Sequence, residues 1–285
     1  MTRNLSRHLD DEIIRLWFEE DIGDGDHTTL SIIPHDAGGK ASLFVKQDGI
    51  IAGISVAIRV FKLFDPGLEV SVFIPDGGVV KKGDIAFTVS GLVRSILQTE
   101  RLVLNILQRM SGIATQTREY VELMKGLNTR ILDTRKTTPG FRPLEKEAIR
   151  LGGGCNHRFG LYDMILIKDN HIDYAGCIEN AIKMAKQYLK ENNKPLEIEV
   201  EARSLEDIEK ILRTGGVDRI LLDNFTPEMT CEAVKLINGR VETESSGNIT
   251  KQNIRLYAEC GVDYISAGSL THQISSLDMS LKAAK

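Results

Sequence analysis

Beyond Asn128 the chain alternates short apolar runs, RILD, MILIK, LEIEVE, RILLD, RVETESSG and DYISAG, with longer segments whose apolar residues recur at helical spacing. No other feature restricts the fold as tightly, because repeated strand-then-helix order packs as parallel strands joined by right-handed crossovers. The intervening ENAIKMAKQYLKEN, LEDIEKILRTG and PEMTCEAVKLI each carry one apolar and one charged face, as the outer helices of a barrel do. The expected class is α/β, with a barrel favoured over an open sheet. Six strands are legible where a closed barrel has eight, so an incomplete or open barrel is expected.

The first part of the chain follows a different rule. Ile13, Ile14, Trp17 and Phe18 predict a helix over residues 10–20, ending in the turn EEDIGDGDHTT. Alternating segments ASLFVK, LEVSVFI and DIAFTVSG, separated by DGG and KKGD, predict a small antiparallel sheet with SVAIRVFKLF as a helix packed on it. From Ser95 to Leu127 the period is helical, with a second helix expected after Ser111-Gly112. At 285 residues the chain fits one barrel and a smaller companion domain.

Composition excludes several functions. A formal net charge of -4 argues against a nucleic-acid or anionic-lipid surface, so any basic site must be local. MTRNLSRHLD has no apolar core, and the longest apolar stretch, Gly49 to Val60, is broken by Gly53, Ser55 and Arg59. Cys155, Cys177, Cys231 and Cys260 form no C-x-x-C pair. A cytoplasmic protein with reduced, mostly buried cysteines and no membrane span is expected.

Polar residues fall where barrel enzymes keep their chemistry. Asp133, Arg135, Lys168, Glu201, Asp223 and Ser246 stand at or just after the carboxyl ends of the predicted strands. Residues 134–168 hold seven basic residues against three acidic ones, which in an acidic protein marks a local anion site. Lys146 and Arg150, four apart on a helix, read as a solvated face. Arg135, Lys136, Arg158 and Lys168 lie in loops or at a strand end, where a convergent pocket is easier to build. Arginine suits planar carboxylates and lysine suits phosphate, so the ligand should carry both. Among these cations a neutral His157 would donate to an anion without adding repulsion.

Glu201 and Asp223 can bind ribose hydroxyls or hold magnesium with phosphate oxygens. Glu199 shares the face of Glu201 by strand periodicity, leaving the choice between them open. SSGNIT and SAGSLTH, each leading into a short helix, offer backbone N–H groups as phosphate cradles. No serine or cysteine triad, H-E-x-x-H or Cys/His cluster is present. LGGGCNHRFG, DIGDGD and DGGVVKKGDIAF fail as dinucleotide, calcium and carrier motifs.

At DTRKTTPGFR, GGGCNHRFGLYDMILIKDNH, EVE, LLDNF, ESSGNIT and ISAGSLTH, with EEDIGDGDHTT and ERLVLNILQRMSGIAT before them, the chain resembles the quinolinate phosphoribosyltransferases nearly end to end. The resemblance implies an N-terminal α/β sandwich over residues 1–110, rejoined by residues 271–285, and an open seven-stranded α/β barrel over 111–270 of the type II phosphoribosyltransferase kind. It implies that phosphoribosyl is transferred from phosphoribosyl pyrophosphate to quinolinate with loss of carbon dioxide, giving nicotinate mononucleotide for NAD synthesis, with Mg²⁺ as cofactor. Arg135, His157, Arg158 and Lys168 would form the quinolinate pocket, with Arg101 donated across a homodimer, or a higher oligomer such as a hexamer. Lys136, Lys168, Glu201 and Asp223 would be catalytic, contacting the phosphoribosyl donor, the last two also its metal, directly or through substrate or water. Ser246, Gly247, Asn248, Gly268, Ser269 and Leu270 would grip phosphate. Asn248 stands where the family has a second glycine; asparagine tolerates a left-handed backbone, so the cradle should survive. The alternatives are a phosphoribosyltransferase for nicotinate or another ring acid, a non-catalytic anion-binding barrel, and a carrier module built on the N-terminal hairpins.

Overall fold

The structure, a computed structural model, describes residues 10–284. The reading of MTRNLSRHLD as free of an apolar core lies, apart from its last residue, outside the described residues. The described chain runs α1 (Asp11–Ile22), α2 (His27–Ile32), β1 (Gly38–Val45), β2 (Gly49–Ile50), α3 (Ile54–Phe64), β3 (Glu69–Val72), β4 (Val79–Val80), β5 (Ile85–Leu92) and α4 (Val93–Leu123). It continues through β6 (Arg130–Leu132), α5 (Arg142–Leu151), β7 (Ile165–Ile167), α6 (Asp169–Ala175), α7 (Ile178–Glu191), β8 (Ile198–Ala202) and α8 (Leu205–Thr214). Then follow β9 (Arg219–Asp223), α9 (Pro227–Ile237), β10 (Glu242–Ser246), α10 (Ile254–Glu259), β11 (Tyr264–Ser266), α11 (Ser269–His272) and β12 (Met279–Ala283).

These elements form two compact units. The first takes the chain up to Arg118, Thr137–Gly153 and the residues from Leu270 on. Its antiparallel sheet has the order β12-β1-β5-β3, so the last strand of the chain pairs with the first. Alternation in β1 and β5 buries Leu43, Val45, Phe87 and Val89, and α3 buries Val56, Ala57, Val60 and Phe61. Phe61 meets Phe87 edge-on at 6.0 Å between ring centres.

Two expectations fail here for physical reasons. Ser111-Gly112 does not divide two helices, since α4 runs unbroken from Val93 to Leu123. Gly112 is tolerated inside it because a Cβ there would stand 2.3 Å from the Ser275 carbonyl oxygen; close approach of the backbone, not a turn, requires the glycine. Lys146 is no solvated helix residue: it is 2% exposed on α5 among Leu144, Ala148 and Ile149. Arg150 does remain exposed and pairs with Glu147.

The second unit holds Glu119–Lys136 and Gly154–Ser269. Its six parallel strands have the order β6-β11-β10-β9-β8-β7. A single parallel bridge between Leu132 and Cys155, closed by Cys155 N–H to the Ile131 carbonyl and Asp133 N–H to the Cys155 carbonyl, extends the sheet beyond β6. A seventh stave is thus reduced to one residue, which is why no apolar run marks it in the sequence. Helices α7, α8 and α10 pack against strands of the sheet, and α8 does so with Ile208 and Ile211 buried.

The cysteine expectation is corrected. Cys231 in α9 and Cys260 just after α10 form a disulfide with Cα atoms 4.6 Å apart, and Cys155 and Cys177 are half-buried free thiols. Consecutive crossover helices lie side by side, so residues 29 apart in sequence meet without any local spacing signal. Among the described residues no helix is long and apolar enough to cross a membrane.

Candidate active site

The carboxyl ends of the parallel strands carry most of the residues singled out above. Arg135 and Lys136 lie in the loop after β6 and Lys168 directly follows β7. Glu201 is the penultimate residue of β8, Asp223 ends β9, Ser246 ends β10, and Gly268 and Ser269 follow β11. Arg101 is exposed on α4 in the first unit, and Leu270 is fully buried at the return of the chain to that unit.

Two groups of these side chains come together. Arg158, half-buried, donates to the Met164 carbonyl at 3.4 Å. Burial and then the charge of Arg135 lower its pKa, while Glu199 and Asp163 act in the opposite sense. An anionic ligand placed between the two arginines would relieve their repulsion. In the other group Lys168 Nζ stands 3.5 Å from Glu201 Oε2. Burial and the charge of Asp223 raise the Glu201 carboxyl, against the pull of Lys168. Two carboxylates that repel across adjacent strand ends, with only oxygen donors, suit a hard divalent cation.

The phosphate turn is tied to Asp223 through a residue that sequence reasoning passed over. Asn224, left-handed at φ 56°, donates its amide to Asp223 Oδ2 at 2.8 Å. Its own oxygen accepts from Asn248 Nδ2 at 3.3 Å, and its main-chain N–H donates to the Ser246 carbonyl at 2.9 Å. Asn248 is left-handed at φ 53°, as expected of an asparagine replacing glycine. Gly247 has φ 95°, and a Cβ there would lie 2.2 Å from Asn224 Oδ1.

The structure separates Glu199 from Glu201, which share a strand face. Glu201 reaches Lys168, whereas Glu199 is wholly buried beneath, with its Oε2 2.9 Å from His157 Nε2. Glu244, also wholly buried, lies 3.4 Å from the same nitrogen and 3.5 Å from Arg219 Nη1. Arg219 pairs with Glu242 at 2.8 Å, and Arg130 and Arg219 lie 4.5 and 4.2 Å from the centre of the Tyr264 ring.

The ring of His157 therefore turns its Nε2 inward instead of presenting it to a ligand, and the side chain is 7% exposed. Burial opposes its charge, but Glu199 and Glu244 outweigh burial and push it up to about 9. The Arg158 N–H, 2.6 Å from Nδ1, works in the opposite sense, since it needs the lone pair there. Of the two acids, Glu199 is pushed up to about 6 by burial and by Glu244, while Glu244 is held down by His157, Ser266 and Arg219 despite its burial. His157, Glu199 and Glu244 have ligand atoms within 4.8 Å of one another, a spacing that can suit a metal ion. With His157 protonated, its charge and those of Arg130 and Arg219 balance Glu199, Glu242 and Glu244 one for one, so no ion is needed. One signal for Glu244 lay in the sequence: by strand periodicity it shares a face with Ser246.

A rim of paired cations, paired carboxylates and glycine-bearing turns on parallel strand ends defines an α/β barrel enzyme for anionic, phosphate-bearing substrates. Residues 26–111 match the family described as quinolinate phosphoribosyl transferase, N-terminal domain, and residues 113–282 match its C-terminal domain. The chain is 45% identical over 285 residues to the chloroplastic nicotinate-nucleotide pyrophosphorylase [carboxylating] of Oryza sativa subsp. japonica, covering 95% of this chain and 76% of that protein. NadC from Streptococcus pyogenes superposes with a TM-score of 0.92 at 40% identity over the full length of both chains. The nicotinate-nucleotide pyrophosphorylase of Francisella tularensis does so with a TM-score of 0.91 at 36% identity, again over both full lengths. The chain belongs to the quinolinate phosphoribosyltransferase family.

Proposed function

We propose that the chain transfers phosphoribosyl from phosphoribosyl pyrophosphate to quinolinate and releases pyrophosphate and carbon dioxide, leaving nicotinate mononucleotide. The observation that carries this reading is the gathering of Arg135, Lys136, Lys168, Glu201 and Asp223 at the carboxyl ends of one parallel sheet, with a half-buried Arg158 that feels the charge of Arg135. The family membership and the strand-end placement of the acids support it.

Arg135 and Arg158 receive the carboxylates of quinolinate, with Lys168 reaching the same ring and His157 set behind Arg158. Arg101, exposed on α4, serves the site of a second subunit in a homodimer. Lys136 and the turns Ser246-Gly247-Asn248 and Gly268-Ser269-Leu270 take the phosphates. Glu201 and Asp223 hold the ribose hydroxyls and would hold Mg²⁺, which would supply positive charge to offset that of the pyrophosphate leaving group. The ring nitrogen attacks the anomeric carbon as the bond to pyrophosphate breaks. The adjacent carboxyl carbon then leaves as carbon dioxide, its bonding electrons remain on the ring carbon, and a proton is taken up there. No side chain acts as a nucleophile; orientation and charge stabilisation lower the barrier. The compartment is cytoplasmic.

The test is turnover. Purified protein with quinolinate, phosphoribosyl pyrophosphate and Mg²⁺ should release labelled carbon dioxide and form nicotinate mononucleotide in equal amounts. Turnover of nicotinate in place of quinolinate would instead favour the related phosphoribosyltransferase.

A further inference from the structure

Buried acids beneath the site have no part in the chemistry just described, yet they surround the residue that precedes Arg158. The His157 main-chain N–H donates to Asp133 Oδ1 at 2.9 Å, and Asp133 is wholly buried immediately after β6. The His157 ring nitrogen Nε2 stands 2.9 Å from Glu199 on β8 and 3.4 Å from Glu244 on β10. Two strands of one sheet and the loop after a third thus surround a single residue at its backbone and its ring. That residue lies in the segment between Cys155 and β7, where there is no ladder to fix it. Without these contacts, nothing regular in the backbone would set the direction from which Arg158 enters the pocket. Asp133 is two residues before Arg135 in the same loop, so one carboxylate fixes the start of both guanidinium-bearing segments.

We infer that Asp133, Glu199 and Glu244 are positioning residues, which clamp His157 at its main chain and its ring and thereby set the spacing of Arg135 and Arg158 for the two carboxylates of the substrate. The inference rests on the reading that these arginines receive quinolinate. Removal of one hold displaces a guanidinium while leaving the phosphate turns on β10 and β11 in place. Binding of the ring acid should therefore suffer and binding of the phosphoribosyl donor should not. A displacement of order 1 Å at such a site costs up to about a hundredfold.

The experiment compares full-length wild type with Asp133→Ala, Asp133→Asn and Glu244→Gln, measuring kcat, both KM values and the melting temperature. Asp133→Ala is expected to raise the quinolinate KM about tenfold or more, with the phosphoribosyl pyrophosphate KM within about twofold. Asp133→Asn keeps an acceptor for the His157 N–H and should recover most of the quinolinate affinity. Glu244→Gln should raise the quinolinate KM, and the ¹⁵N shifts of the His157 ring should move in the same variant. Equal losses in both KM values, failure of Asn to rescue, or a lower melting temperature with unchanged KM values would overturn the inference. If Asp133→Ala does not fold, the Asp133→Asn and Glu244→Gln variants decide it by the same split. Should wild type fail to turn over quinolinate, the functional reading falls, and the His157 ring shifts still decide whether Glu244 holds the ring.

Discussion

Raising the pH from 6.5 to 9.5 should remove a proton that the fold itself retains. His157 is buried against Glu199 and Glu244, and they push it up to about 9 from the ordinary 6.5. Because the folded value is the higher one, the stabilisation is fully present below pH 6.5 and is lost as the pH climbs through 9. A gap of about 2.5 units at 1.36 kcal/mol per unit is worth about 3 kcal/mol. In a protein of this size that corresponds to a fall in melting temperature of about 6 °C. Glu199, pushed up to about 6, completes its titration in the first unit of this window, so the comparison is read above about pH 7.5. The groups that face the ring are Glu199 from β8, Glu244 from β10 and Arg158 in the same loop, with Arg219 of β9 beyond Glu244. Thermal melts of wild type and His157→Gln at half-unit steps read the effect, since titrations away from Glu199 and Glu244 are common to both. The wild-type curve should fall relative to the variant from about pH 6.5 upward, and the difference between the two should have closed just above pH 9. Parallel curves across the whole window would show that His157 is not charged in the folded protein.

Three further outcomes follow from other parts of the molecule. Gly247→Ala, with φ 95° and its new Cβ 2.2 Å from Asn224 Oδ1, should raise the phosphoribosyl pyrophosphate KM about tenfold and cost about 1–3 kcal/mol, read by kinetics and urea titration. Arg101→Ala and Arg135→Ala should each be inactive alone, while subunits of the two, mixed and reassembled, should recover roughly a quarter of wild-type activity, as a site shared across a twofold requires; absence of recovery would return Arg101 to its own subunit. Thiol titration in urea without reductant should find only Cys155 and Cys177, with Cys231 and Cys260 appearing after reduction, and reduction should cost about 3.5 kcal/mol for a loop of this length.

The strands and the rim were legible for the same reason. A parallel strand covered on both faces reads as a short apolar run, and a charged residue at its end, such as Lys168 or Asp223, stands out against it. The contacts that hold the rim were not legible, because they run across the sheet. Glu199, Arg219 and Glu244 meet His157 or one another only after β8, β9 and β10 have paired in register, and no spacing within one strand reports that. Asn224 was hidden differently: its amide donates to the residue just before it and accepts from one 24 residues further on, which ties Asp223 to the phosphate turn. Gly112 and Cys231 misled because local chemistry, a helix breaker and a lone thiol, was assigned where a distant backbone and a distant sulfur decide.

The placement of charge across the second unit has a further consequence. Arg135 and Arg158 repel at the rim, yet the chain as a whole is acidic, so the field that draws an anion must be confined to a short range. Wholly buried Glu199 and Glu244 would cancel that field if they lay unpaired beneath the pocket. They lie instead against His157 and Arg219, whose charges offset theirs, so that only a residual pull of Glu199 reaches Arg158. The imidazolium thus acts as the counter-charge of the acids that orient it, and replacement of either acid by its amide should leave an excess positive charge in the interior. Glu244→Gln should accordingly lower the pKa of His157, a change that a histidine titration by NMR reads directly and that a purely packing role for Glu244 would not produce.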